Sequence, residues 1–205
     1  VANISHDLRT PLASMHGYLE MLSVKGATLS EVERQRYLAV ALAQSNKVRQ
    51  LAQALFELAR LEHGGVQPVI EDFSLTDLIQ DVFQKFELMA EEKNSRLVAV
   101  LPRSSSMVSA DLGLIERVLT NLIDNAIRHT PSGGTIEVEV RHQAANVIVM
   151  VSDSGPGIPE ELLESLFRRP FSQTGDRRTG GLGLLIVRRI LQLHGCEIHL
   201  LSTPG

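Results

Sequence analysis

The sequence has a single cysteine, Cys196, no tryptophan, and aromatic residues at only 4% of its 205 positions. One cysteine excludes an intramolecular disulfide and is compatible with a reducing compartment. No stretch approaches the roughly 18 uninterrupted apolar residues of a membrane helix. No signal peptide is visible, because the chain opens directly with Val1-Ala2-Asn3-Ile4-Ser5-His6. An initiator methionine is missing too, so the start reads as a cut through a longer protein. The formal net charge of −4 provides no general attraction to nucleic acid or to an anionic membrane. What the chain does have is 43% hydrophobic residues, enough for one large domain or two small ones.

Residues 1–62 show no strand-like alternation and predict two helices. In the first, Ile4, Leu8, Leu12, Met15, Leu19 and Leu22 recur at helical spacing. Lys25-Gly26-Ala27-Thr28 breaks that seam, and Ser30 with Glu33 forms a capping-box pattern for the next helix. The second helix is apolar on more than one side, with Leu38, Ala41, Leu42, Val48, Leu51, Leu55, Leu58 and Leu61. Two helices alone make a thin core, so a homodimeric four-helix bundle is the economical solution, with an intrachain hairpin as the alternative. Gly64 to Pro68 reads as a linker, after which the pattern becomes mixed. Helices are predicted near 74–93, 111–129 and 181–194, and strands near 96–101, 135–141, 146–152 and 196–202. Thr135 to Val140 alternates cleanly, as a strand with one covered face does. The stretch from Gly155 to Gly181 is rich in glycine, proline and arginine with little periodicity, which predicts either a disordered segment or a functional one such as a lid.

Four segments carry chemistry. The first is Ser5-His6-Asp7-Leu8-Arg9-Thr10-Pro11-Leu12. His6 projects about 200° away from the seam residue Ile4 by ordinary helix geometry, toward solvent. A neutral imidazole is a competent nucleophile near pH 7, and the adjacent Asp7 can take or orient its proton. Thr10 lies one turn on and can place a water, while Pro11 removes an amide donor and should bend the helix. An ordinary exposed histidine beside a solvated acid explains the same residues equally well.

The second segment, Asn121-Leu122-Ile123-Asp124-Asn125-Ala126-Ile127-Arg128-His129, puts Asn121, Asn125 and Arg128 on one helical stripe. Two amide oxygens a turn apart suit a hard cation such as Mg²⁺, which takes few protein ligands. Surface asparagines are the plain alternative. The third, Asp153-Ser154-Gly155-Pro156-Gly157, follows an apolar strand and lies 28 residues beyond Asn125. Its glycines let backbone approach a ligand closely. The Asp153 carboxylate is an acceptor for the adenine amino group and would repel the guanine carbonyl. The fourth, Thr179-Gly180-Gly181-Leu182-Gly183-Leu184, opens a helix whose free amides suit a triphosphate.

The first segment resembles the H box of two-component sensor histidine kinases, matched without a gap by His-Asp-Leu-Arg-Thr-Pro-Leu. The others resemble, in order, the N box and the two glycine boxes of the Hsp90-type ATPase superfamily. Phe167-Arg168-Arg169-Pro170-Phe171 is a looser likeness to the F box, with Arg168 where the family has an acid. Thr179 replaces the usual first glycine of the second glycine box, and the chain stops at Gly205 where the family continues into a further strand. Arg168, Arg169, Arg177 and Arg178 suit phosphate, a partner, or simply a solvated lid.

The resemblance implies an α plus α/β protein. An antiparallel helical hairpin at 1–64 forms a dimeric four-helix bundle, 65–70 is a linker, and 71–205 is an α/β sandwich of the Bergerat fold, truncated at its end. It implies ATP and Mg²⁺ as cofactors and His6 as the phosphoacceptor, with Asp7 as the assisting acid/base and Thr10 acting in dephosphorylation of the partner. Asn125 is the metal residue, supported by Asn121, and Arg128 meets phosphate. His129, Asp153, Gly155, Gly157, Gly181, Leu182 and Gly183 complete the nucleotide site. The implied partner is the receiver domain of a response regulator. The implied setting is the cytoplasmic portion of an inner-membrane sensor, with membrane contact only through segments outside this chain. ATP-driven clamps of the Hsp90, gyrase and mismatch-repair types lack such a hairpin. The other readings are a nucleotide-binding scaffold and a regulator dominated by phosphatase activity.

Overall fold

The computed structural model describes residues 2–144, 146–159 and 182–203, with side chains in the first helix from Asp7 onward. That first helix, α1 (Ala2–Lys25), runs without interruption through Pro11, whose ring is buried. A tight turn leads into α2 (Glu31–Glu62). Its start carries the expected capping box: the Glu33 amide donates to Ser30 Oγ, and the Ser30 amide donates to Glu33 Oε2 at 2.9 Å. The Ser30 hydroxyl also donates to Glu33 Oε2, at 2.7 Å, and this bond, followed by that from the Ser30 amide, holds the Glu33 carboxyl below its ordinary pKa. The two helices pack along their length, with Tyr18 and Tyr37 in tilted contact at 5.4 Å between ring centroids. The hairpin buries little: Leu12, Leu19, Leu38 and Leu42 all stay exposed.

The remainder is α/β. A short antiparallel pair, β1 (Glu71–Ser74) with β3 (Met107–Ala110), precedes and follows α3 (Leu75–Glu92) and β2 (Arg96–Val100). Then come α4 (Leu112–His129), β4 (Thr135–Gln143), β5 (Asn146–Asp153) and α5 (Leu182–Leu193). The larger sheet has the order β2-β4-β5, parallel between β2 and β4 and antiparallel between β4 and β5. Helices cover one side of it, which is why Ile136, Val138 and Val140 are buried while their neighbours along β4 are not.

Helices α3 and α4 start on side-chain caps. Ser74 Oγ accepts from the Asp77 amide, and Asp111 Oδ1 accepts from the Leu114 amide at 2.9 Å. Helix α4 is buried on two sides. Leu119, Ile123, Ala126 and Ile127 join Ile79, Val82, Phe86, Ile136 and Val138 in the core beneath the sheet. Val118 instead joins Leu58 and Leu61 of α2 and Leu182, Ile186, Val187 and Ile190 of α5 in a second cluster. The end of the hairpin therefore shares a core with the helices of the α/β part. An ion pair reinforces this junction: Arg117 Nε and Nη2 donate to the two Glu57 oxygens at 2.6–3.1 Å. These bonds push the Arg117 pKa above its ordinary value.

The structure corrects the secondary-structure expectations in two places. Strands β1 and β3 are additions. Each is only four residues long, Glu-Asp-Phe-Ser and Met-Val-Ser-Ala, so alternation has too little length to show, and their mutual pairing defines them. Conversely, 196–203 contains no strand. Ile198, Leu200 and Ser202 are half-buried between exposed neighbours, so the period-two pattern is real, but no backbone ladder accompanies it. The segment is attached instead through the Ile158 amide, which donates to Ser202 Oγ at 2.7 Å.

Candidate active site

The expected nucleotide residues fall at two junctions. At the first, β5 ends on Asp153, an exposed carboxylate whose Oδ1 accepts from the Gly155 amide at 2.8 Å. That bond curls the chain and leaves the other carboxylate oxygen for a ligand. A β-carbon at Gly155 would lie 2.5 Å from Asp153 Oδ1 and 3.1 Å from the His129 carbonyl oxygen. A larger residue there would displace the Asp153 carboxylate and press on the end of α4. Gly157 has φ +73°, in the left-handed region that glycine tolerates best. Asp153, Gly155 and the backbone of His129 are thus one cluster, with Gly157 directly following.

At the second junction, α4 faces the first turn of α5. Asn121 Nδ2 donates to the Arg117 carbonyl at 2.9 Å, which orients the amide. A β-carbon at Gly183 would lie 3.2 Å from Asn121 Oδ1. The N-terminal turn of α5, where free amides gather, therefore sits against Asn121. Asn125 is half-buried one turn along the same face. Arg128 is exposed and pairs with Asp124 at 2.9 Å, so in this state its guanidinium is engaged within its own helix. Leu182 is buried in the α2/α4/α5 cluster and anchors the helix start.

The phosphoacceptor segment lies on α1, with Asp7 half-buried and Thr10 exposed. The His6 side chain lies outside the described residues, as do Gly181, Thr179, the Phe167–Phe171 segment and Arg168, Arg169, Arg177 and Arg178. Sequence reasoning missed Lys93, Gly134, Ser154 and Arg117. Gly134 is the only one with a local signal, the Pro-Ser-Gly-Gly turn. A β-carbon there would meet Thr130 Cγ2 at 2.4 Å and Ser154 Oγ at 2.6 Å. The others act through contacts 19 or more residues away.

A glycine-bearing strand end and a helix start packed against Asn121 meet in one α/β unit, here joined to a helical hairpin. The exposed Asp153 carboxylate, with one oxygen not engaged by the Gly155 amide, is an acceptor that fits an adenine amino group. Comparison with known proteins agrees. Residues 110–205 match the family described as histidine kinase-, DNA gyrase B-, and HSP90-like ATPase, and residues 1–64 match the His Kinase A (phospho-acceptor) domain. Drug sensory protein A of a Synechocystis species is 32% identical over 218 residues, covering 100% of this chain and 33% of that protein. The chain thus spans about a third of that curated relative. The histidine kinase AdeS of Acinetobacter baumannii has a similar structure, with TM-score 0.73 and 29% identity over 92% of this chain and 86% of that one. Histidine kinase ThkA, solved in complex with the response regulator protein TrrA, gives TM-score 0.75 and 29% identity over 92% of this chain and 52% of that one. Its separate catalytic domain is 36% identical, with TM-score 0.55, covering 60% of this chain and 80% of that one. The chain belongs to the two-component sensor histidine kinases and comprises their phosphoacceptor and ATP-binding catalytic regions.

Proposed function

We propose that this chain binds ATP between α4, the Asp153 turn and the start of α5, and transfers the γ-phosphoryl group to His6. The observation carrying this reading is that one chain joins an ungapped phosphoacceptor motif on a helical hairpin to a glycine-lined site on packed neighbours of that hairpin. Asp153 accepts the adenine amino group, and the amides at Gly181, Leu182 and Gly183 meet the phosphates. Arg128 leaves Asp124 to pair with phosphate, and His129 borders the nucleotide. Mg²⁺, held by Asn125 with Asn121 in support, supplies charge neutralisation. A ring nitrogen of His6 forms the new bond to phosphorus as the bond to ADP breaks, and Asp7 takes the proton from the other ring nitrogen.

The phosphoryl group then passes to an aspartate on the receiver domain of a response regulator. ThkA, crystallised with such a regulator, supports this assignment. Thr10 positions water for dephosphorylation of the partner, in which the water oxygen bonds to phosphorus as the bond to the regulator's aspartate breaks and inorganic phosphate leaves. The exposed leucines of both hairpin helices support a homodimer through a four-helix bundle. No helix among the described residues is long and apolar enough to cross a membrane. We place this portion on the cytoplasmic side of an inner-membrane sensor whose anchor lies elsewhere, by likeness to sensor proteins. The domain division 1–64, 65–70 and 71–205 is retained as part of this proposal.

The test is incubation with γ-³²P-ATP and Mg²⁺. Wild type should acquire acid-labile, base-stable label. His6→Gln should abolish it, and Asn125→Ala should reduce it by about 10²-fold or more, the scale of losing a key electrostatic group. Label surviving His6→Gln would overturn the phosphoacceptor assignment. ATP binding without label in wild type would favour the scaffold or phosphatase reading instead.

A further inference from the structure

The last four carbonyls of a helix have no partner within it, and the dipole places negative charge there. In α4 these belong to Ala126, Ile127, Arg128 and His129. Thr130 satisfies Ala126 twice, through its amide at 2.9 Å and its buried hydroxyl at 2.7 Å. Lys93 Nζ donates to the carbonyls of Ile127 and Arg128, the latter at 2.8 Å. The fourth carbonyl, of His129, is the one held against Gly155 in the Asp153 turn.

Lys93 sits at the C-cap of α3, and the corner it begins makes two further bonds to the same region. The Gly133 amide donates to the Asn94 carbonyl at 2.8 Å, and the Arg96 amide donates to the Gly134 carbonyl at 2.9 Å. Asn94 adopts φ +55° to make this corner. Beyond Gly134, the Thr135 amide donates to Ser154 Oγ at 2.9 Å, and the Ser154 amide donates back to the Thr135 carbonyl at 3.0 Å. A continuous set of bonds therefore runs from the Lys93 corner through 127–135 to Ser154, the residue between Asp153 and Gly155.

We propose that Lys93 is a positioning residue for adenine recognition. Its ammonium fixes the C-terminal carbonyls of α4, and through them the His129 carbonyl and the 130–135 turn that back the Asp153 loop. Its contacts are to backbone carbonyls, so it acts on the base through α4 and the turn. The inference rests on the nucleotide site proposed above. A purely structural lysine would affect thermal stability alone, whereas a positioning one changes how well Asp153 meets the base.

The experiment is calorimetric titration with Mg-ADP of wild type, Lys93→Met, Lys93→Gln and Lys93→Arg. Lys85→Met serves as control: it removes another ammonium from α3, one that pairs with Glu116 instead. Each is titrated at a temperature where circular dichroism shows it folded. Lys93→Met should weaken ADP binding about tenfold, the scale of losing hydrogen bonds to a charged donor. Lys93→Arg should restore most of the affinity, and Lys85→Met should match wild type. In phosphorylation assays the loss should appear as raised KM for ATP with kcat at saturation within about twofold. If Lys93→Met does not fold, Lys93→Gln carries the comparison, with an intermediate loss expected. ADP affinity within twofold of wild type in a destabilised variant overturns the proposal, as does a fall in kcat at unchanged KM. Wild type that binds no ADP overturns the site itself, and wild type that binds ADP without labelling His6 removes only the phosphotransfer reading.

Discussion

The hairpin and the α/β part solve the same problem of burying apolar surface in different ways. In the α/β part, Ile79, Val82, Ile123, Ile136 and Val138 are all completely buried by chain-internal packing. In the hairpin, Leu42 is 63% exposed and Phe56 73% exposed, and of the helix-interior leucines only Leu58 and Leu61 are buried, by neighbours from outside the hairpin. A two-layer sandwich closes its own core, whereas two helices cannot. The hairpin borrows burial at one end from α4 and α5 and leaves the rest of its apolar face for another surface.

Two apolar truncations should separate these regimes most sharply. Ile123→Ala should cost about 3 kcal/mol of stability in denaturant unfolding, as expected for a cavity in a closed core. Leu42→Ala should cost under about 1 kcal/mol in dilute chain, since an exposed side chain contributes little. The same Leu42 change should raise the dissociation constant of the homodimer, measured by analytical ultracentrifugation. Equal costs for both would remove the contrast.

The junction gives a smaller effect. Glu57→Gln breaks a partly exposed bidentate pair and should cost about 1 kcal/mol, less in high salt. A double-mutant cycle with Arg117→Met isolates that pair from the apolar seam beside it.

The smallest effect is pH-dependent and confined to the α/β part. Burial pushes the Asp111 carboxyl upward, but the amides of Leu114 and Val69, with Gly113 and His194, outweigh it and leave the pKa lowered. A lowered folded pKa contributes stability that is fully present above the unfolded value, about 4. It is lost as pH falls through the folded value. Asp111→Asn keeps one oxygen for the Leu114 amide but loses the charge and the acceptor for Val69, so it should already be less stable than wild type at pH 7. Its stability should decline less steeply than wild type below about pH 4, read by thermal melts across that range.

Much of this architecture is legible locally. The capping box at Ser30, the caps at Ser74 and Asp111, and the alternation of β4 are written within a few residues of where they act. So are the motif glycines, and the structure supplies the reason for Gly155 and Gly183 in the atoms a β-carbon would meet. What escaped is long-range. Lys93 looks like any helix-ending lysine until α4 is placed beside it, 35 residues later. Glu57 and Arg117 are separated by 60 residues and carry no spacing signal. Strands β1 and β3 exist through each other, and the segment 196–203 has the alternation of a strand without a ladder to complete it.

The double burial of α4 also sets where this molecule comes apart. Parting α4 from the sheet would expose more than a dozen buried side chains of one continuous core. Parting α2 from α4 and α5 uncovers chiefly Leu58, Leu61 and the surfaces they touch. At roughly 1.5–3 kcal/mol for each buried aliphatic side chain, that is on the order of 3–6 kcal/mol for the two leucines. The hairpin is therefore held to the rest by the smaller of the two cores, and α5, packed on both α2 and α4, is the element that any parting there would strip of cover.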